Sequence, residues 1–455
     1  MAKPKHIPPV KSGDRLELTV EALASSGDGL CHHQGYTLFI PTGLAGDRVL
    51  VEVSKTTPRF GVTRVIKRIE GSPYRVPAPC PVFPQCGGCK LQSLGYEKQM
   101  AFKTQMVAEC LKRIGKLDFP DIQALPAEQP YHYRNKASFA VQEKGGKLRL
   151  GFFKEGTHEV EDSDQCDILL PQINEMKEWV RCLLIKHQIS IYNETAHKGF
   201  FRGLVIRHSA STGESLIGLL TTAGTFPAAF IRNLATSPQI KRFQLSGIVQ
   251  NVNPLATNVI LGKTTQVIFG KDYFNERLGG LQFRLSLTSF SQVNPAQTIR
   301  LYDLIRDWAD CDHNSQAIDA YCGSGGISLW LAKQSGPRVI GIEEIPSAVE
   351  DARHSAQLNG LADRCEFILD TIENHSFTGG VRTVIVDPPR KGCSDNVIQA
   401  INGMNAGRII YVSCNPSTLA RDLSKLARHK IEKICVIDMF PQTPHVETAV
   451  LLKLR

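Results

Sequence analysis

The sequence predicts a multi-domain protein with a small N-terminal β-barrel, a mostly β central domain and a C-terminal doubly wound α/β domain. The chain has 455 residues, more than one hydrophobic core usually serves. Short apolar runs separated by turn residues fill the first 70 positions, and helices alternate with strands from about residue 292. No apolar run reaches the length of a membrane span, and Met1-Ala2-Lys3-Pro4-Lys5 lacks the apolar core of a signal peptide. We therefore expect a cytoplasmic protein without membrane segments.

Residues 1–72 are expected to form the barrel. Apolar and β-branched runs recur there between Gly, Ser, Asp and Pro turns, at Leu16–Val20, Tyr36–Ile40, Arg48–Val53 and Gly61–Ile66. Small barrels commonly bind oligonucleotides, and the formal charge of +9 favours a polyanionic partner without requiring one. A spacer with an SH3-like or OB-like fold is the alternative that composition leaves open.

The central part of the chain is predicted to be mainly β structure. Residues 73–95 are rich in Pro, Gly and Cys and fit no regular element, whereas residues 96–115 have the spacing of a helix. Short strands dominate from residue 131 to about 285, with a helix around 171–187. We therefore assign residues 73–95 and 126–285 to the central domain.

The last third of the chain alternates between strands and helices, which predicts a doubly wound sheet. The last two strands are joined by a short turn and are expected to pair antiparallel. The predicted strands are Gln316–Ala320, Arg338–Glu343, Cys365–Leu369, Val381–Val386, Arg408–Val412, Ile431–Met439 and Val446–Leu454, with helices at Pro346–Asn359 and from Pro416 to about Arg428.

A glycine-rich turn follows the first of these strands, in Asp319-Ala320-Tyr321-Cys322-Gly323-Ser324-Gly325-Gly326. Glycines let the backbone turn tightly and approach a ligand closely. The G-x-G-x-x-G pattern of dinucleotide sites is absent, whereas an acidic residue before a shorter glycine turn suits S-adenosyl-L-methionine (SAM). Glu343 ends the next strand, where its carboxylate can accept both ribose hydroxyls. A purely structural turn in a flavodoxin-like domain is the alternative.

Asp387-Pro388-Pro389-Arg390 ends the fourth strand of this domain. The prolines hold the chain extended beside the cofactor pocket and remove competing N–H donors. Amino-methylating enzymes of similar fold carry an aromatic residue, which stacks on the base, at the position of Arg390. This arginine therefore argues against methylation of an adenine or cytosine amino group.

Ser413-Cys414-Asn415-Pro416 ends the fifth strand. Asn415 as N-cap and Pro416 as first helical residue place Cys414 at a helix N-terminus, where we expect a lowered thiol pKa. Cys322 and Cys393 also lie at strand ends, but neither is expected to precede a helix cap. Inert packing is the alternative for any one of the 13 cysteines.

A thiolate and a base fit one reaction, the methylation of C5 of uracil. Attack of the thiolate on C6 makes C5 nucleophilic toward the SAM methyl group, and a base must then remove the C5 proton. Glu447, in His445-Val446-Glu447-Thr448 at the start of the last strand, is the candidate base. His445 is expected to be structural or to contact RNA.

Cys80, Cys86 and Cys89 have the spacing C-x5-C-x2-C in the Pro- and Gly-rich segment. Zinc sites usually contain two C-x2-C pairs, and only one is present; the C-x3-C-x2-C pattern of radical-SAM enzymes is absent. Three spaced thiols with a distant fourth can hold a [4Fe–4S] cluster. Spacing alone leaves the fourth ligand open among Cys110, Cys166 and Cys182.

Together these motifs resemble the bacterial RNA (uracil-5-)-methyltransferase family, closest to its 23S rRNA branch, over nearly the whole chain. The resemblance implies an OB-like TRAM domain that binds RNA and a SAM-dependent methyltransferase domain formed by residues 96–125 and 286–455. It implies Cys414 as nucleophile and Glu447 as base. It also implies cluster ligands, namely Cys80, Cys86, Cys89 and Cys166, and contacts to SAM or the target base, namely Gln292, Tyr321, Glu343 and Asp387. Arg134-Asn135-Lys136 resembles a further family motif of unknown role.

Two other functions remain open. A tRNA uracil methyltransferase would use the same chemistry, and the cysteine cluster with the TRAM domain favours rRNA over it. A non-catalytic RNA-binding assembly factor could keep the same fold, but Cys414 and Glu447 argue against this. We expect a monomer whose partner is RNA, most specifically 23S rRNA.

Overall fold

The computed structural model describes residues 8–256, 260–333, 336–375 and 380–455. Three large β-sheets and one hairpin organise this part of the chain. None of the helices within these ranges has the length and apolar character needed to cross a membrane.

The N-terminal unit is a six-stranded sheet with its own hydrophobic core, as predicted. Alternation of apolar and polar residues puts every second side chain of a strand into the core, as in Tyr36, Leu38 and Ile40. The strand order is β1-β5-β6-β4-β3-β2. The strands are β1 Arg15–Thr19, β2 Ala22–Leu23, β3 Gly29–His33, β4 Tyr36–Ile40, β5 Arg48–Thr56 and β6 Phe60–Glu70.

The central sheet has seven strands in the order β10-β9-β8-β11-β12-β13-β14, with only β12 and β13 parallel. One face packs against α2 and α3, and the other shares a core with the C-terminal part through Val205, Leu216 and Val249. Its elements are β8 Lys136–Lys144, β9 Lys147–Phe153, β10 Val160–Asp162, α2 Pro171–Lys186, β11 Phe201–His208, β12 Ser215–Thr221, α3 Ala228–Ala235, α4 Gln239–Arg242, β13 Leu245–Val252 and β14 Thr264–Gly270.

The C-terminal sheet has eight strands in the order β19-β18-β17-β20-β21-β23-β22-β7. The predicted antiparallel pairing of the last two strands is confirmed, since β23 runs antiparallel to both β21 and β22. The elements are α5 Pro295–Ala309, β17 Gln316–Ala320, α6 Gly326–Ala332, β18 Arg338–Glu343, α7 Pro346–Leu358, β19 Cys365–Leu369, a 3₁₀ turn Ile372–Asn374, β20 Val381–Val386, α8 Asp395–Gly403, β21 Arg408–Ser413, α9 Pro416–Lys425, β22 His429–Ile437 and β23 Glu447–Leu454.

Two earlier segments pack against this C-terminal sheet. Helix α1 (Tyr96–Cys110) continues into one π-helical turn, Leu111–Gly115, and leads to β7 (Ile122–Leu125), which pairs in parallel with β22. The hairpin of β15 (Tyr273–Leu278) and β16 (Leu281–Ser286) packs Phe274, Phe283 and Leu285 into the same core. Helix α1 and the hairpin therefore both pack against the C-terminal sheet, although they precede it in the chain.

Candidate active site

A cavity of about 450 Å³ lies at the carboxyl ends of the parallel strands of the C-terminal sheet. Parallel strands end at one edge, so the residues that follow β17, β18, β20 and β21 converge there. The cavity is lined by all six of the residues predicted for cofactor binding and catalysis, which are Gln292, Tyr321, Glu343, Asp387, Cys414 and Glu447.

The glycine turn after β17 forms the floor of this cavity. Tyr321 has a φ of 67°, an uncommon conformation for a residue with a side chain, so the chain turns sharply there. A Cβ at Gly323 would meet nothing within 4 Å. The Glu343 carboxylate accepts from the Gly323 amide at 3.0 Å and from the Ile345 amide at 2.9 Å. A carboxylate beside an open glycine turn fits the ribose and uncharged backbone of SAM, because spare oxygen lone pairs remain for hydroxyl donors.

Asp319, in β17 just before the turn, is fully buried. Its Oδ2 accepts from the Ser328 hydroxyl at 2.6 Å, while its Oδ1 has no hydrogen-bond partner. Burial raises the pKa of Asp319 to about 7. The bond to Ser328 ties the end of β17 to the first turn of α6.

Asp387 and Glu447 form a pair of acidic side chains on the cavity wall, with Glu447 buried and Asp387 half-buried. Burial raises the pKa of Asp387 to about 7. Burial, and then the nearby Asp387 charge, raises the pKa of Glu447 well above its ordinary value, while Arg390 acts to lower it. Two close carboxyls resist ionising together, so a proton is retained at this wall near neutral pH.

Cys414 directly follows β21 and lies two residues before the start of α9. Asn415 caps this helix by accepting from the Ser417 amide at 3.1 Å, which confirms the predicted cap. The predicted lowering of the thiol pKa is wrong for the free protein. Burial, and then the Glu447 charge, raises the pKa of Cys414 to about 11, with Arg390 opposing the rise. Burial of the thiol, which the local sequence does not show, is the largest cause of this rise.

Cys393 corrects a second prediction, because it directly precedes a helix cap. Ser394 caps α8 by accepting from the Val397 amide at 3.3 Å. The Cys393 thiol is nevertheless buried, and the Tyr411 hydroxyl donates to it at 3.4 Å. Burial raises its pKa to about 11, and Cys393 is not among the residues that line the cavity.

Residues of the central sheet and its neighbouring hairpin close the cavity, which sequence reasoning did not foresee. Asn135 and Glu276 both line it. Glu276 is buried and accepts from Ser209 Oγ at 2.6 Å, Ser211 Oγ at 2.8 Å and Asn135 Nδ2 at 3.3 Å. Arg134-Asn135-Lys136 was the one available signal, and its role had no assignment.

A second cavity of about 240 Å³ lies on the other side of Cys414. Cys414 and Arg390 line both cavities, so they form the partition between them. The second cavity is also bordered by the N-terminal sheet unit at Ser25, by α1 at Met106 and Cys110, and by Pro444 and His445 before β23. Burial lowers the pKa of His445 to about 4, helped by the charges of Arg390, Lys103 and Arg134, so its ring is neutral at pH 7.

The four cysteines of the predicted cluster lie together beside the central sheet. Cys89 packs with Cys166, and each of the four thiols is within electrostatic reach of others of the set. Burial raises all four thiol pKa values, that of Cys89 to about 12 and that of Cys166 to about 11. None of the four forms a disulfide.

The backbone around these thiols is pinned to the central sheet. The Gly87 amide donates to Phe153 O at 2.9 Å, and a Cβ at Gly87 would meet that oxygen at 2.9 Å, so only glycine allows the approach. Four clustered, unpaired thiols, one buried and three half-buried, are the donor set that an iron–sulfur cluster requires. In the part of the chain that the structure describes, no group of three or more His, Cys, Asp or Glu side chains is arranged to hold a single metal ion.

Comparison with known proteins gives matches over the whole chain. Residues 9–66 match the TRAM domain, and residues 361–455 match the family described as tRNA (Uracil-5-)-methyltransferase. An RNA methyltransferase of Halalkalibacterium halodurans is 40% identical over 98% of both chains, and one of Listeria innocua is 37% identical over 98% of this chain and 99% of its own.

One solved structure is similar over nearly its full length. The crystal structure of Pyrococcus abyssi tRNA (uracil-54, C5)-methyltransferase in complex with S-adenosyl-L-homocysteine superposes with a TM-score of 0.77 at 28% identity. The match covers 96% of this chain and 100% of that one.

Proposed function

The chain belongs to the SAM-dependent RNA (uracil-5-)-methyltransferases that carry a TRAM domain, and on this premise we propose that it methylates C5 of a specific uridine in 23S rRNA. It does so as a cytoplasmic monomer, through a covalent bond between Cys414 and C6 of the uracil. One observation carries the proposal: a thiol, a pair of carboxyls and a SAM-compatible glycine turn line one cavity.

Residues at two ends of the cavity divide the binding tasks. Gln292, Tyr321 and Glu343 lie toward the glycine turn and would hold SAM, which supplies an electrophilic methyl group. The charges of Asp387 and Glu447 act on the Cys414 thiol by raising its pKa, and both side chains would face the reacting uracil ring. In this proposal, C6 of the base faces the thiol and C5 faces the methyl donor.

Cys414 opens the reaction by bonding to C6. The C5=C6 π electrons move onto the ring carbonyl oxygen as the S–C6 bond forms, and the thiol proton passes to solvent water. Burial raises the thiol pKa to about 11 in the free protein, and in this proposal the thiol loses its proton in the RNA complex. Arg390, which lowers the pKa of Cys414, supplies part of the required positive field.

Glu447 completes the reaction after C5 has taken the methyl group. Its carboxylate removes the C5 proton, the C5=C6 bond reforms, and the S–C6 bond breaks to release Cys414. A raised pKa makes Glu447 a stronger proton acceptor once it is ionised. Arg390 favours that ionised form, so one cation serves both steps.

The second cavity provides the approach for RNA. The target base must leave its stack to meet Cys414, at a cost of about a few kcal/mol. The N-terminal TRAM unit borders this cavity at Ser25, so phosphate contacts on its surface can offset that cost. Residues 96–125 belong with the methyltransferase unit of residues 286–455 in this proposal, supported by the place of β7 in the C-terminal sheet.

We further propose that Cys80, Cys86, Cys89 and Cys166 hold a structural [4Fe–4S] cluster. Clustered, partly buried thiolates are costly without a cationic partner, as the raised pKa values of Cys89 and Cys166 indicate. A bound cluster would keep them deprotonated. Anaerobically purified protein should be brown and contain about four irons per chain; stoichiometric zinc without iron would contradict this assignment.

A tRNA substrate is the second candidate, favoured by the Pyrococcus abyssi structure. The four cysteines resemble the 23S rRNA branch and favour rRNA. Mapping of 5-methyluridine in rRNA and tRNA from cells that lack this protein separates the two. Loss of a tRNA modification with intact 23S rRNA would replace the first candidate by the second.

Two substitutions test the covalent mechanism because they block different steps. Cys414→Ala should bind RNA and SAM yet form neither adduct nor product. Glu447→Gln should transfer one methyl group and stall, leaving an RNA–protein adduct that survives denaturing electrophoresis. RNA with 5-fluorouridine should trap the wild type similarly, because fluorine cannot leave as a cation. Cys110→Ala, at the other thiol of the second cavity, is the matched control and should turn over normally. Methylation by Cys414→Ala would refute the assigned nucleophile.

A further inference from the structure

The turn between β22 and β23, residues 438–446 (the terminal turn), is held in an unusual conformation. Gln442 has a φ of 70° although it is not glycine, and it is 2% exposed. Such a conformation persists only where surrounding contacts impose it. The terminal turn ends directly at Glu447, so whatever imposes its shape also sets the edge of the active site.

The contacts on Gln442 come from the segment that follows Cys89. Gln442 O accepts from the Lys90 amide at 3.1 Å and from the Leu91 amide at 3.0 Å. Its amide donates to Gln99 Oε1 at 3.1 Å, and its side-chain Oε1 accepts from Gln99 Nε2 at 2.9 Å. The backbone of one residue is thus bound from both sides.

Gln99 has no freedom to relax because its amide group is fully engaged. It is 1% exposed, and its Nε2 also lies 3.0 Å from Leu91 O and 2.8 Å from Leu94 O, so its two hydrogens are shared among three acceptors. Next to it, the Tyr133 hydroxyl donates to Pro441 O at 3.0 Å, and Tyr133 packs against Cys89. Residues 80–91 (the cysteine loop) therefore contact the terminal turn through the Lys90 and Leu91 amides, and Tyr133 contacts both segments.

Lys90 also joins the cysteine loop to the N-terminal unit and to the central unit. Its Nζ contacts Asp28 of the N-terminal unit at 2.9 Å and pairs with Glu155 of the central unit. A Cβ at Gly27 would meet Lys90 Cβ at 3.0 Å and Pro444 Cβ at 3.4 Å, so the N-terminal loop lies directly against the terminal turn. The residue after Cys89 is where the three parts of the chain meet.

We propose that four residues fix the RNA-side wall of the second cavity to the cysteine loop. These residues, which we call the brace, are Lys90, Leu91, Gln99 and Gln442. Pro444, His445 and Val446 of the terminal turn form that wall, opposite Cys414. Among the described residues, the hydrogen bonds and ion pairs of the brace do not reach the glycine turn, residues 319–326, that would hold SAM. Its four members are positioning residues, and the shape that they give to the wall sets the affinity for RNA. This consequence for RNA rests on the proposed function.

Gln99→Met tests the brace, since the side chain keeps its length and loses its hydrogen bonds. The full chain, anaerobically purified with its iron, is compared with Val107→Ala, which weakens packing on the same helix without touching the terminal turn. In Gln99→Met, amides of residues 438–446 should exchange hydrogen faster. The Kd and KM for RNA should rise about tenfold or more, as expected when buried hydrogen bonds at a binding wall are lost. The Kd for SAM and the iron content should stay within about twofold of the wild type.

Lys90 gives an independent check through a conservative pair. Lys90→Met should raise the KM for RNA and leave kcat nearly unchanged, and Lys90→Arg should restore much of the loss by keeping the pairs with Asp28 and Glu155. An equal rise of the RNA KM in Val107→Ala, or a parallel loss of SAM binding, would overturn the brace. A wild type that methylates no RNA would instead overturn the proposed function, and the exchange rates would still report on the terminal turn.

Discussion

The reactivity of Cys414 toward an alkylating reagent should report the balance between burial and the helix N-terminus. Burial and the Glu447 charge raise the thiol pKa to about 11, whereas a helix N-terminus alone would lower it. The perturbation is a change of pH on the ligand-free protein. The rate of alkylation should rise tenfold per pH unit to above pH 10 instead of levelling off near pH 9.

The expected magnitude follows from the ionised fraction and the nucleophilicity of the thiolate. At pH 7.5 a thiol with a pKa of about 11 is about 0.03% ionised, against about 9% for an unperturbed thiol. A more basic thiolate reacts roughly tenfold faster per ion, given a Brønsted slope of about 0.4–0.5. The net alkylation rate should therefore be roughly 20-fold below that of an unperturbed thiol.

Mass spectrometry with light and heavy iodoacetamide measures this rate for each cysteine in one sample. Cys182, which is exposed, serves as an internal reference thiol. Glu447→Gln should speed the alkylation of Cys414, because the Glu447 charge raises its pKa, and Arg390→Met should slow it. A plateau below pH 8, with Cys414 reacting faster than Cys182, would show that the helix N-terminus wins and would refute our reasoning.

Three further predictions concern stability and the cysteine loop. The folded-state pKa of Asp387 lies near 7, above its unfolded value, so its contribution to stability is complete below about pH 4 and is lost as pH rises through 7. Asp387→Asn should therefore raise the melting temperature of the ligand-free protein at pH 8 but not at pH 4.5; a constant difference would contradict this. Lys103→Met leaves Asp438, its buried partner, unpaired and should cost about 3–5 kcal/mol in urea unfolding, partly recovered by adding Asp438→Asn; an additive loss would refute the pairing. Cys89→Ser should lose iron by elemental analysis, whereas Cys182→Ser should retain it, and equal iron in both would exclude Cys89 as a ligand.

Several elements followed from local patterns alone. The helix at Pro346–Leu358 and the strands from Gln316–Ala320 to Glu447–Leu454 were predicted to within a few residues, because apolar periodicity and capping residues act over short distances. Helix α8, Asp395–Gly403, was missed, and with it the cap at Ser394. A short helix whose apolar face spans only Val397, Ile398 and Ile401 gives a weak periodic signal.

The sequence by itself determined which residues meet at the sheet edge. Glu343 ends a parallel strand, Tyr321, Asp387 and Cys414 each follow one, and such strands end together whatever the loops contain. Only the tertiary structure decided their electrostatic state and their surroundings. Desolvation, which reversed the expected shift at Cys414, depends on every group packed nearby. The closure of the cavity by Glu276 and the bonds from Gln99 to Gln442 likewise join residues far apart in the chain. Local sequence patterns carry no information about such distant pairings, because they arise only when separate sheets pack against one another.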